Sequence, residues 1–251
     1  MRDFEDSTLW RISAFERMHN DTGSSGFKRD ERATVLPSTL IADLDRLDED
    51  LMSGRDVLEV LATCLRHQES ALLYLVHEEL VWPVTLFPAQ SIYHCPRDMS
   101  KASHKGLARL RIIEIEPPGV RPPGHWMHER VRQTEHYHPL TVLLWTVALY
   151  GPRSTLLSEI AGTAAYRALV DVASHGLIAP GALGSAAERL HRESVSMREM
   201  AGWPGMSIER ACRLLNALYL AGSLMVTRTH PNARHHFALG GGFSFGRKSR
   251  R

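Results

Sequence analysis

The stretch Ser196-Met-Arg-Glu-Met-Ala-Gly-Trp-Pro-Gly-Met-Ser-Ile-Glu-Arg-Ala-Cys-Arg-Leu-Leu-Asn-Ala-Leu-Tyr-Leu-Ala-Gly-Ser-Leu224 decides the reading of the C-terminal half. Ser196 and Glu199 have the Ser-x-x-Glu spacing of a capping box and start a short helix. Gly202-Trp-Pro-Gly205 breaks it, Ser207 caps a second and longer helix to about Ala221, and Gly222 stops that one. Met225-Val-Thr-Arg-Thr229 then has β character, and the Pro231-Asn232 turn would return the chain through residues 235–239. The expected order over residues 194–239 is helix, tight turn, helix, β-ribbon.

On a helical wheel Ile208, Ala211, Cys212, Leu215, Leu218 and Tyr219 share one face of the second helix, expected to pack on the helix of Met197 and Met200. The opposite face presents Glu209, Arg210, Arg213, Asn216, Ala217 and Leu220. Arg210, Arg213 and Asn216 are residue types that read base edges, and Arg228 and Arg234 on the expected ribbon could touch phosphate. The count of basic groups is low for an autonomous DNA binder, which neutralises several phosphates. Ala217 and Leu220 look more like a protein-contact patch. These five residues are therefore the candidate contact set, for a protein first and for DNA as the alternative.

Composition narrows the function classes. The chain has 251 residues, 43% hydrophobic and 23% charged, with a net charge of +2, a globular composition without a strongly basic coat. Its three cysteines, Cys64, Cys95 and Cys212, form no Cys-x-x-Cys pair, so neither a disulfide framework nor a thiolate zinc site is expected. The first twenty residues carry seven charged side chains, as a secretory signal does not. The longest apolar run, residues 142–150, is far short of the roughly 20 residues that span a bilayer. The expectation is a cytoplasmic protein with no membrane partner.

Residues 1–25 read as an N-terminal arm ending in a polar Gly/Ser break, and residues 26–116 as an α+β domain. Within it, Leu40, Leu44, Leu47 and Leu51 mark a helix with an acidic outer face (Asp43, Asp45, Asp48, Glu49, Asp50). Asp56 caps the next helix, with Val57, Leu58, Leu61 and Leu65 as its stripe. Ala71-Leu-Leu-Tyr-Leu-Val76 is a buried strand, residues 79–87 a second, with Pro83 expected at an edge or bulge, and Ser91-Ile-Tyr-His94 a third. Residues 101–110 read as a short helix and Arg111-Ile-Ile-Glu-Ile115 as the closing strand. Residues 117–124, rich in Pro and Gly, form a stiff linker. Residues 125–239 form a helical domain: an apolar helix from Pro139 to Tyr150, one or two helices over residues 154–175, a loop over 179–184, and a helix from Ser185 leading into residues 194–239. The tail, residues 240–251, with Arg247, Lys248, Arg250 and Arg251, is read as disordered and basic.

Histidines supply the case for chemistry. His125 and His128 are three apart, and His136 and His138 two apart, with Glu129 and Glu135 nearby; such spacings can converge on zinc. No His-Glu-x-x-His order occurs, and no Walker, Rossmann or Gly-x-Ser-x-Gly spacing is present. A His-dependent metalloenzyme is the alternative from a second class. The expectation is no cofactor and no catalysis, with the four histidines packing around a domain junction.

Residues 202–224 resemble the second-helix region of winged helix-turn-helix modules, in which Leu, a small residue, Gly and an apolar residue precede the wing. The N-terminal half is similar to PATAN-type domains of bacterial regulatory proteins, where a helix such as residues 56–66 precedes a β meander such as residues 71–94. These resemblances imply an α+β domain followed by a mainly helical domain ending in a winged helix, in a non-enzymatic bacterial regulatory or adaptor protein.

Overall fold

The computed structural model describes residues 9–24, 36–50, 56–124 and 134–233. It mixes helices with two antiparallel sheets, the α+β class expected from the sequence. No described helix is long and apolar enough to cross a membrane.

The N-terminal half follows its sequence closely. Strand β1 (Trp10–Arg11) leads into α1 (Ile12–Ser24), followed by α2 (Ser38–Asp50) and α3 (Val57–His67). Asp56 caps α3 as expected, its side chain accepting from the N–H groups of Leu58 and Glu59. Strands β2 (Ala71–His77) and β3 (Leu80–Phe87) form a hairpin through the two-residue turn Glu78-Glu79. β4 (Ile92–His94) pairs with the end of β3, and β5 (Arg111–Glu116) closes back on β2. The segment read as a helix over residues 101–110 is a 3-10 turn at Met99–Lys101 and a single turn, α4 (His104–Leu107).

Pro83 is not on an edge strand. Beyond β2, the flank of β3 is shared by β1, which pairs with Leu80 and Val81, and β4, which pairs from Thr85 onward. Pro83 sits in the gap between them, where its missing N–H is tolerated. Within the expected arm, the described residues 9–24 are attached to the sheet: β1 pairs with β3, and Phe15 of α1 packs with Val76 and Val81 in a small second core.

Residues 117–124 do not separate two cores. Beyond them β6 (Tyr137–Pro139) adds to the first sheet beside β4, giving the order β5-β2-β3-β4-β6. Helix α5 (Leu140–Tyr150) then runs through the middle of the molecule, buried from Leu140 and along Leu143–Leu149. A helix apolar all round is one enclosed on all sides. Accordingly a single apolar cluster reaches from Leu58 and Leu73 through Leu144 to Leu215 and Leu218.

The C-terminal half departs from its sequence reading in three places. Residues 154–175 hold no α-helix but turns and the strand β7 (Ala165–Ala168), because both flanks of β7 find strand partners. Helix α6 (Ala182–Arg192) starts three residues earlier than expected, directly after Gly181 at φ +55°. β8 (Val195–Ser196), α7 (Met197–Ala201), α8 (Ile208–Leu220) and β9 (Leu224–Thr227) follow, with Ser196 and Ser207 as the expected caps. Among the described residues β9 pairs with β7, in a sheet of order β8-β7-β9. After β9 the chain crosses toward β8, where Asn232 donates to the Ser194 carbonyl at 2.7 Å. The returning strand expected at residues 235–239 and the basic tail lie outside the described residues.

Candidate functional site

Three of the candidate contact residues, Arg210, Arg213 and Asn216, lie on α8, and Arg228 follows β9; most of them are turned to internal work. Helix α8 packs on α5, on α7 and on α6. Ala211, Leu214, Leu215, Asn216, Ala217, Leu218 and Leu220 are all buried. Apolar residues therefore surround α8, and the face read from the wheel as outward lies against the protein's own body. Ile208, assigned to the inner face, is instead 64% exposed.

Asn216 is fully buried. Its Oδ1 accepts from the Leu157 N–H at 2.9 Å and its Nδ2 donates to the Thr155 carbonyl at 2.8 Å. One side chain thus satisfies two backbone groups of an irregular segment that has no ladder of its own. Arg213 is half-buried and donates from Nη1 to the carbonyls of Leu149 and Gly151 at 3.0 and 2.7 Å, closing the C-terminus of α5. Its Nε reaches Glu209 at 3.0 Å. Arg228 is exposed but donates to the carbonyls of Ala161 and Glu159 at 3.0 and 3.1 Å. Arg210 is exposed and donates to the Gly205 carbonyl. Arg234 lies outside the described residues. Of the five, Arg210 at the start of α8, two residues after Ile208, keeps an outward position on the helix.

The same segment, residues 151–161, is held from the other side by α3. Arg153 forms ion pairs at 2.8 Å with both Asp56 and Glu59. Glu59 also accepts from the Ser158 N–H at 2.9 Å and the Ser158 hydroxyl at 3.1 Å. A second bridge joins Arg66 to Glu159 at 2.6 Å. Burial raises the Glu159 pKa against the pull of Arg66, and its Oε2 is buried without a hydrogen-bond partner. None of this network was read from the sequence. Glu59 did carry a signal: a carboxylate between Leu58 and Val60 in an otherwise apolar helix must find a partner if buried.

The two candidate histidines among the described residues, His136 and His138, do not converge. His138 rests against the Tyr93 ring, centroids 5.2 Å apart, with Nε2 at 3.2 Å from the Cys95 carbonyl. His136 instead neighbours His94, rings 5.8 Å apart. His125 and His128 lie outside the described residues. Among the described residues no group of three or more His, Cys, Asp or Glu could hold a metal ion. All three thiols are buried, and burial pushes Cys64 and Cys95 up to about 12. At neutral pH these thiols are protonated, the unreactive form.

No protein-family model matches the chain, and neither a curated protein nor a solved structure does so.

Proposed function

We propose that this chain is a non-enzymatic regulatory or adaptor protein whose C-terminal helix pair, of winged-helix kind, mediates contacts with another protein. The carrying observation is the division of labour on α8. Its polar residues Arg213 and Asn216 are consumed inside the molecule, and the side chains left at its exposed start are Ile208, Glu209, which pairs with Arg213, and Arg210. A helix that reads bases needs a row of free donors toward the groove. An exposed isoleucine with a single outward arginine two residues on supplies an apolar anchor and too few donors for a groove, a composition closer to a protein-contact surface.

A photo-crosslinking residue placed at Ile208 in cells tests this. The expected result is a discrete protein adduct that is lost when Arg210 is also changed to Glu, with no shift of random duplex DNA at 50 mM salt. Duplex binding that weakens with rising salt and with Arg210→Ala would overturn it in favour of a DNA-binding regulator.

A further inference from the structure

The end of the β2–β3 hairpin, α4 and the start of β5 enclose an open cleft of about 720 Å³ that the contact reading does not use. One wall is the tip of the hairpin, Glu78 and Glu79, with Glu78 held in the left-handed region at φ +57°. The other wall is cationic: Lys105 on α4, Arg109 just beyond it, and Arg111 at the start of β5. All five charged side chains are exposed, and among the described residues no ion pair joins the two walls.

The walls are set at a fixed distance by one close contact. A Cβ on Gly106 would lie 2.2 Å from His77 Nε2, so the backbone of α4 rests directly on the His77 ring. His77 is itself buried, with Nε2 at 3.0 Å from the Ser103 carbonyl. The residue after His77 is Glu78, and the residue before Gly106 is Lys105. The contact that packs α4 on the sheet therefore also holds opposite charges across a space instead of against each other.

We propose that this cleft binds a phosphate-bearing small molecule of nucleotide size. Its phosphate lies at Lys105, Arg109 and Arg111, and its hydroxyl or amine groups face Glu78 and Glu79. The planar guanidinium fork matches phosphate oxygens. An ionised carboxylate only accepts hydrogen bonds, so the opposite wall requires donors. A ligand bearing both groups satisfies both walls, whereas a bare polyanion meets two glutamates and a bare cation meets three positive charges. The volume falls in the range of roughly 300–1,000 Å³ typical of small-molecule sites. The lining comes from one hairpin turn, one helical turn and one strand end, a compact set that fits a small molecule better than an extended peptide. The site stands independently of the contact patch at Ile208.

Titration calorimetry on the full chain at low salt, with adenosine 5′-monophosphate and inorganic pyrophosphate as probes, tests the proposal. Both probes bind the wild type, and Arg109→Ala and Arg111→Ala each weaken both by about tenfold. Arg109→Lys, which keeps the charge but not the fork, recovers only part of that loss. Replacing Glu78 and Glu79 together by Gln weakens the nucleotide while tightening pyrophosphate, because each amide keeps only a weaker, uncharged acceptor for the nucleotide's donors and removes a negative charge that repels the bare anion. These exposed substitutions leave the thermal midpoint unchanged, so a loss of binding is a loss at the site. No heat from either probe at about 1 mM, binding unaltered in the arginine variants, or a glutamine variant that tightens both probes alike would overturn it. So would binding confined to a mixed-charge peptide.

Discussion

Arg153 Nη2 lies 2.8 Å from Glu59 Oε1, with the two side chains 13% and 7% exposed. The pair joins α3 to the segment that α8 holds from the opposite side through Asn216. Residues 151–161 have no regular hydrogen-bond ladder until β7, yet are fixed from two directions by polar side chains, Asp56 and Glu59 on one side and Asn216 on the other. The position of α8 relative to the first sheet depends on this joint as well as on the shared apolar core.

Removing one partner leaves a buried charge unpaired. Arg153→Met should destabilise the fold by about 3 kcal/mol. The double variant with Glu59→Leu should lose less than the sum of the two single losses. Urea unfolding of the four proteins in the cycle measures the coupling, and strict additivity would show that the pair contributes nothing.

Asn216→Ala removes both hydrogen bonds to the 155–157 backbone and strands the buried Leu157 N–H, while the Thr155 carbonyl keeps its bond from Arg153 Nε. A loss of about 3 kcal/mol is expected. Asn216→Asp keeps the acceptor for Leu157 but sets a carboxylate against the Thr155 carbonyl, so its stability should fall as pH rises through the carboxyl pKa. Chemical denaturation at pH 4 and pH 8 separates the two effects.

Gly106→Ala drives a methyl group into the His77 ring and should cost about 2 kcal/mol. His77→Ala in the same chain removes the obstacle and should recover part of that loss, which thermal unfolding of the three variants would reveal. A neutral Gly106→Ala would mean that α4 is free to move off the sheet.

Asp98 governs part of the acid response. Burial opposes its ionisation, but hydrogen bonds from Ser100 and Tyr93 and the pair with Lys101 outweigh that and hold its carboxyl at about 2. The folded value lies below the roughly 3.9 of an unfolded Asp. Its contribution is therefore present above about pH 4 and is lost as pH falls toward 2. The stability difference between wild type and Asp98→Asn, followed by urea midpoint against pH, should shrink across that window and stay flat above pH 5.

Local signals determined much of the secondary structure. Asp56, Ser196 and Ser207 capped the helices they were expected to cap, because a short polar side chain before an apolar stripe meets the free N–H groups of a first turn whatever surrounds it. The continuous apolar run of β2, the apolar helix α5 and the α+β class were legible for the same reason: burial on both faces leaves no polar positions to confuse the period. Tertiary structure alone decided which side of α8 faces out. Its one polar interior residue, Asn216, is identical in sequence whether it reads a groove or brackets residues 155–157, and only the placement of that distant segment selects between them. The pairing of β7 with β9 and β8, the ion pair of Glu59 with Arg153, and the cleft between Glu78 and Arg109 share that origin. Each joins residues brought together by chain topology, and side-chain spacing along a helix or strand holds no record of a partner far away in the chain.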